Sequence, residues 1–120
     1  MSQSKTFRDL EVWKLAHQLV LSIYKLTDGL PKHEMFGLTS QLRRAAVSVP
    51  ANIAEGFKKR TPADKAKFYN ISQGSLEECR YYLILIQYAE TTQLQGEVDR
   101  VARILDAYLK AMLEGFATSR

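Results

Sequence analysis

Apolar residues recur every three or four positions through most of this chain, and that spacing constrains its fold more than any other feature. Trp13, Ala16, Val20, Ile23 and Leu26 keep it in one segment, and Val98, Val101, Leu105, Tyr108 and Met112 keep it in another. Neighbours three and four apart share one face of an α-helix, whereas a half-buried strand would alternate every second residue. No convincing strand alternation occurs, and only three prolines interrupt the chain.

The spacing predicts four helices, at about residues 9–28, 39–59, 62–89 and 97–116. Gly29 and Pro31 stop the first. Thr61-Pro62-Ala63-Asp64 opens the third, with a capping hydroxyl, a proline suited to the first helical position and an acid where a capping box wants one. The stretch ETTQLQG reads as the loop before the fourth. Short connections between such helices imply an all-α, antiparallel, up-down-up-down four-helix bundle filling a single domain over residues 1–120.

The stretch QLRRAAVSVPANIAEG, residues 41–56, has helical spacing but lacks the charged outer face of an ordinary bundle helix. Leu38, Leu42, Ala46, Val49, Ile53 and Phe57 form one apolar stripe. Gln41, Ala45, Ser48, Asn52 and Glu55 form a second, and no charge lies between Arg44 and Glu55. Two uncharged faces imply burial on two sides, hence a subunit interface. Pro50 removes a backbone donor and frees the carbonyl of Ala46, at about 3 kcal/mol in an ordinary helix interior. Ser48 and Asn52 are the side chains placed to accommodate it.

Folding the second and third helices back about Thr61 sets Ser48 opposite Gly74 and Ser75, Asn52 opposite Asn70 or Ser72, and Arg44 opposite Glu78. An Arg44–Glu78 contact is expected, and Gly74 with the serines suits close helix approach. The seam is thus Gln41, Arg44, Ser48, Pro50, Asn52, Glu55, Ser72, Ser75 and Glu78. Glu55 and Glu78 could be read as paired catalytic carboxylates, but structural partners for arginine and backbone are the stronger reading.

Charge is uneven. Lys58, Lys59, Arg60, Lys65 and Lys67 face only Asp64, and outside residues 58–67 the chain has 12 basic and 12 acidic residues. This one segment carries the whole net charge of +4. It is either a solvated turn or an electrostatic footprint for phosphate. Tyr69, Tyr81, Tyr82 and Tyr88 add rings that stack on bases or simply pack.

Signals for catalysis are absent. No glutamate has a histidine three residues later, so the two-metal pattern of helical bundles is missing. His17 and His33 are the only histidines, and no Gly-rich phosphate loop, nucleophile elbow or zinc spacing appears. Neither cofactor nor metal is expected. One cysteine, Cys79, excludes an internal disulfide and suits a reducing compartment. With no signal-like N-terminus and no apolar run longer than residues 81–86, the expectation is a cytoplasmic protein without a membrane partner.

The segments DLEVWKLAHQL, LPKHEMFGLTSQLRRAAVSVPANIAEG and FYNISQGSLEECRYYL resemble the bacterial four-helix-bundle proteins named after intervening sequences in 23S ribosomal RNA genes. The resemblance is close from Phe7 to about Tyr88, and the fourth helix follows by pattern. Glu90-Thr91-Thr92 departs from the Leu-Gly-Tyr-like ending usual there. The chain is also similar to the accessory proteins of diversity-generating retroelements, which form basic pentameric barrels that bind nucleic acid and a reverse transcriptase. The resemblance implies a ring-like homo-oligomer of five subunits, with no established molecular activity for the family itself.

Five copies would gather the 58–67 segments into a circle of about 20 excess positive charges. The expectation is therefore a non-enzymatic, homopentameric nucleic-acid-binding protein, contacting RNA phosphates through Lys58, Lys59, Arg60, Lys65 and Lys67. Arg43 joins these candidates because Arg44 is assigned to Glu78. The alternative is an oligomeric scaffold or adaptor for a nucleic-acid enzyme.

Overall fold

In the computed structural model, which describes residues 4–118, the chain is an all-α bundle 53 Å long and about 20 Å across. Its helices are α1 (Glu11–Asp28), α2 (Ser40–Lys58), α3 (Pro62–Leu85) and α4 (Thr92–Thr118). A 3₁₀ turn at Phe7–Asp9 precedes α1, and a second at Lys32–Glu34 leads into a π-helical turn at Met35–Thr39. No strand occurs among the described residues.

The helix ends follow local chemistry. Thr6 and Asp9 form a reciprocal capping box around the first 3₁₀ turn. Thr61 accepts a hydrogen bond from the Asp64 amide at 3.2 Å, with Pro62 in the first turn of α3. The π turn contains Gly37 at φ −114°, ψ −107°, well outside helical geometry, and this break turns the chain into α2.

Two boundaries differ from the sequence reading. α3 ends at Leu85, where Ile86 is extended and turns its side chain into the core. α4 begins at Thr92, so TQLQG is helix rather than loop. Thr91 holds this corner: its hydroxyl donates to the Leu83 carbonyl at 2.9 Å and accepts from Gln95 Nε2 at 2.9 Å. Turn-like composition misled because these polar side chains close a tight corner and a helix start together.

All four helices feed one core. Leu19 and Ile23 of α1 meet Leu42, Val49 and Ile53 of α2, Leu76 and Leu83 of α3, and Val98 and Leu105 of α4. Along α2 and α3 the contacts run in opposite order: Ser75 meets Ser48, Ser72 meets Val49, and Lys65 meets Phe57. This is the register that pivoting about Thr61 requires. α2 passes unbroken through the buried Pro50.

Candidate nucleic-acid interface and the α2–α3 seam

The basic segment wraps the end of the bundle where α2 hands over to α3. Lys58 is the last residue of α2, and Lys59 turns extended, so the backbone presents Lys58 and Arg60 outward. Lys67, one turn into α3, is also exposed. Lys59 lies over the Phe68 ring at 4.8 Å, a cation–π contact that holds its stem against the bundle.

Lys65 does something else. Its ammonium donates to the carbonyl of Phe57 at 2.6 Å and to that of Gly56 at 3.4 Å, capping the C-terminus of α2. Desolvation holds its pKa below the ordinary lysine value. Lys65, expected to contact phosphate, is thus occupied by backbone carbonyls.

Arg43 is also occupied. Its Nε donates to Thr27 Oγ1 at 2.7 Å, its Nη2 meets Asp28 Oδ1 at 2.9 Å, and its guanidinium stacks over Tyr24 at 4.4 Å. Arg43, expected to contact nucleic acid, thus ties α2 to α1. Sequence spacing along α2 alone does not show Thr27 and Asp28 arriving from α1.

Two cations not singled out in the sequence join the basic end. The N-terminal 3₁₀ turn packs beside the last turns of α2, and Lys5, Thr6, Phe7, Ala54, Phe57 and Lys58 line a shallow cleft of about 250 Å³. Arg8 is exposed on the same turn. Asp9, the acid closest in sequence, accepts from the backbone amides of Lys5 and Thr6, and those bonds hold its carboxyl below the usual range. Among the described residues Lys5, Arg8, Lys58, Arg60 and Lys67 make no ion pair. The Thr6-x-x-Asp9 capping box was the available sequence signal for this turn.

The seam residues divide. Gln41, Arg44, Ser48, Ser75 and Glu78 line one groove of about 420 Å³ between α2 and α3, with Phe36 and Tyr82 at its margins. Ser75 Oγ donates to Ser48 Oγ at 2.9 Å, and Asn52 Nδ2 donates to Ser48 Oγ and to the Ser48 carbonyl. Ser72 and Pro50 are sealed inside the bundle, with Ser72 Oγ donating to the Val49 carbonyl at 2.8 Å. None of these bonds ends on the Ala46 carbonyl, so the expected compensation for Pro50 by Ser48 or Asn52 is not made. Gly74 is exposed, and a Cβ there would meet nothing within 4 Å, so it is no close-approach site within the chain.

Arg44 and Glu78 share the groove as expected but form no ion pair. Glu55 is exposed and does not line the groove, so the two carboxylates are not brought together. Among the described residues no group of three His, Cys, Asp or Glu side chains is placed to hold a metal ion. No helix among them is long and apolar enough to cross a membrane.

The family model for the 23S rRNA-intervening sequence protein matches residues 8–110. The chain belongs to that family. A crystal structure from Bacteroides thetaiotaomicron, of a protein with unknown function from the S23 ribosomal protein family, is similar in fold. The likeness has a TM-score of 0.75 at 23% identity and covers 82% of this chain and 95% of that one. No curated protein matches the chain. The family span takes in α1, α2, α3, the basic turn and the whole α2–α3 groove, while Lys5 lies before it.

One surface feature escaped the sequence reading. Phe36, between the first two helices of that reading and given no role there, is 97% exposed. Phe36 borders both the polar groove and a second hollow of about 490 Å³, whose other walls are Tyr24, Met35 and Val47 together with Ser40, Arg43 and Arg44.

Proposed function

We propose that this chain is a non-enzymatic nucleic-acid-binding protein of the cytoplasm that contacts RNA phosphates through the basic end of its bundle, without base-specific readout. The observation that carries this reading is the group of five unpaired cations, Lys5, Arg8, Lys58, Arg60 and Lys67, around the α2–α3 turn and the neighbouring N-terminal turn. Unpaired exposed cations attract polyanions and release counterions when phosphates replace them. In this reading the antiparallel up-down-up-down bundle is the subunit of a ring-like homo-oligomer, of five copies as the family resemblance implies. Repetition around the ring multiplies a modest local charge.

The test is fluorescence anisotropy of a labelled structured RNA at several salt concentrations. A log-affinity that falls steeply with log-salt, with a slope of roughly −0.7 for each neutralised single-strand phosphate, is the expected result. Absence of binding at low salt would sink the reading.

A second reading, an oligomeric scaffold or adaptor for a nucleic-acid enzyme, is favoured by a different observation. The outer face of α2 is open and uncharged between Arg44 and Glu55, and the exposed Phe36 stands at its N-terminal end. Salt-insensitive capture of a purified nucleic-acid enzyme would support this reading over the first.

A further inference from the structure

Where the N-terminal 3₁₀ turn meets the end of α2, the cleft of about 250 Å³ combines two phenyl rings with two ammonium groups. Phe7 comes from the 3₁₀ turn and Phe57 from the last turn of α2, and both are half-buried. Lys5 and Lys58 are exposed beside them. Thr6 and Ala54 complete the lining, and no acid is part of it.

Both walls are fixed within the chain. On one side the Asp9 carboxylate accepts from the amides of Lys5 at 2.9 Å and Thr6 at 3.1 Å, which holds the turn. The Phe7 ring meets Trp13 edge-on at 4.9 Å, and Trp13 stacks on His17 at 5.1 Å. On the other side Lys65 donates to the Phe57 carbonyl and lies 5.3 Å from the centre of the Phe57 ring. That bond also offsets the partial negative charge at the carbonyl end of α2, which otherwise opposes an anion beside Lys58. Walls already in place bind with little ordering cost.

The lining selects its occupant. Inorganic phosphate uses the cations and leaves the rings idle, and a purely apolar ligand does the reverse. A double helix offers phosphates but keeps its bases stacked inside. An unpaired nucleotide offers a flat π-face and a phosphate one sugar apart. Stacking of unpaired bases on aromatic rings beside cations holds single strands without sequence preference. The cleft is smaller than the pockets of about 300–1,000 Å³ that enclose whole ligands, and so suits one base rather than a folded loop.

We propose that this cleft holds one unpaired nucleotide of the bound RNA, its base against Phe7 and Phe57 and its phosphate between Lys5 and Lys58. This rests on the RNA-binding reading and specifies the nucleic acid as one with unpaired segments.

The test is anisotropy of one labelled RNA strand with the full-length protein, alone and annealed to its complement, at matched salt. A purely electrostatic surface prefers the duplex, whose charge density is higher. The single strand is instead expected to bind about tenfold tighter than the duplex. Phe7→Leu keeps an apolar side chain but removes the ring, and is expected to weaken single-strand binding about tenfold with no change in salt slope. Phe7→Tyr, which keeps the ring, is expected to bind as wild type, with both variants equally helical by circular dichroism. Adenosine monophosphate at the strand's own concentration is expected not to displace it, because a free nucleotide lacks the adjoining phosphates. Displacement would make the cleft a free-nucleotide site and overturn the proposal. Salt-dependent binding that is equal for strand and duplex, or untouched by Phe7→Leu, overturns the cleft while leaving the RNA-binding reading in place. No binding of either RNA at low salt overturns both.

Discussion

The ring of Tyr69 lies where a side chain on residue 56 would have to go: a Cβ added to Gly56 would stand 2.6 Å from Tyr69 Cε1 and 3.2 Å from Phe68 Cβ. Tyr69 is fully buried and packs edge-on against Tyr108 at 5.5 Å, so it has no room to retreat. Gly56 therefore sets how closely the end of α2 approaches α3, beside the basic turn. Gly56→Ala is expected to lose about 1–3 kcal/mol to overpacking, against roughly 1 kcal/mol recovered from helix propensity. Gly74→Ala, with open space around it, should gain about 0.5–1 kcal/mol. Guanidinium denaturation of the two variants should move the midpoint in opposite directions.

Ser72 ties the middle of the same helix pair. Its hydroxyl is buried and its bond to the Val49 carbonyl is 2.8 Å long, one residue before Pro50. Ser72→Ala should cost about 1 kcal/mol, the net worth of such a bond, because Val49 retains its ordinary helical acceptor role. A loss near zero in urea denaturation would show that the bond merely replaces an equivalent one to water.

Arg43 and the exposed cations separate folding from binding. Arg43→Ala should lower stability by about 1 kcal/mol, chiefly through the buried Thr27 contact, since the exposed Asp28 arm is screened by solvent. It should leave the salt slope of RNA affinity unchanged. Lys58→Ala and Arg60→Ala should do the reverse, each reducing that slope by about 0.7 with no change in denaturation midpoint. A slope that responds equally to Arg43→Ala would place the RNA at the wrong end of the bundle.

Much of this fold is legible because the core residues are spaced as helices require. Leu42, Ala46, Val49 and Ile53 read as one stripe and are fully buried together. The α2–α3 register was legible too, because Thr61-Pro62 marks the pivot and Ser48 then falls opposite Ser75. What could not be read were destinations set by tertiary geometry. Arg43 and Lys65 look like the free cations around them, yet one finds Thr27 and Asp28 on another helix and the other finds two carbonyls at a helix end. Phe36 lacks any pattern of its own; its exposure follows from a π turn that local propensity does not encode.

Cys79 provides a probe of the core that depends on pH. Its thiol is fully buried, and burial, with a smaller contribution from Glu78, pushes its pKa from the ordinary thiol value of 9.0 up to about 12. The unfolded chain loses this proton near pH 9.0, while the folded chain keeps it until about pH 12. Between those values the unfolded state binds fewer protons, so stability falls as pH rises, by up to about 1.4 kcal/mol per pH unit. Tyr69, whose pKa burial also raises, adds to the fall at the upper end. Urea midpoints should therefore hold steady to pH 8 and decline above pH 9, and Cys79→Ala should flatten the decline between pH 9 and 10. At pH 8 the wild-type thiol should react with a disulfide reagent only as fast as the bundle opens, since a neutral buried thiol is a poor nucleophile. Rapid labelling of the native protein would show that α3 opens locally around Cys79.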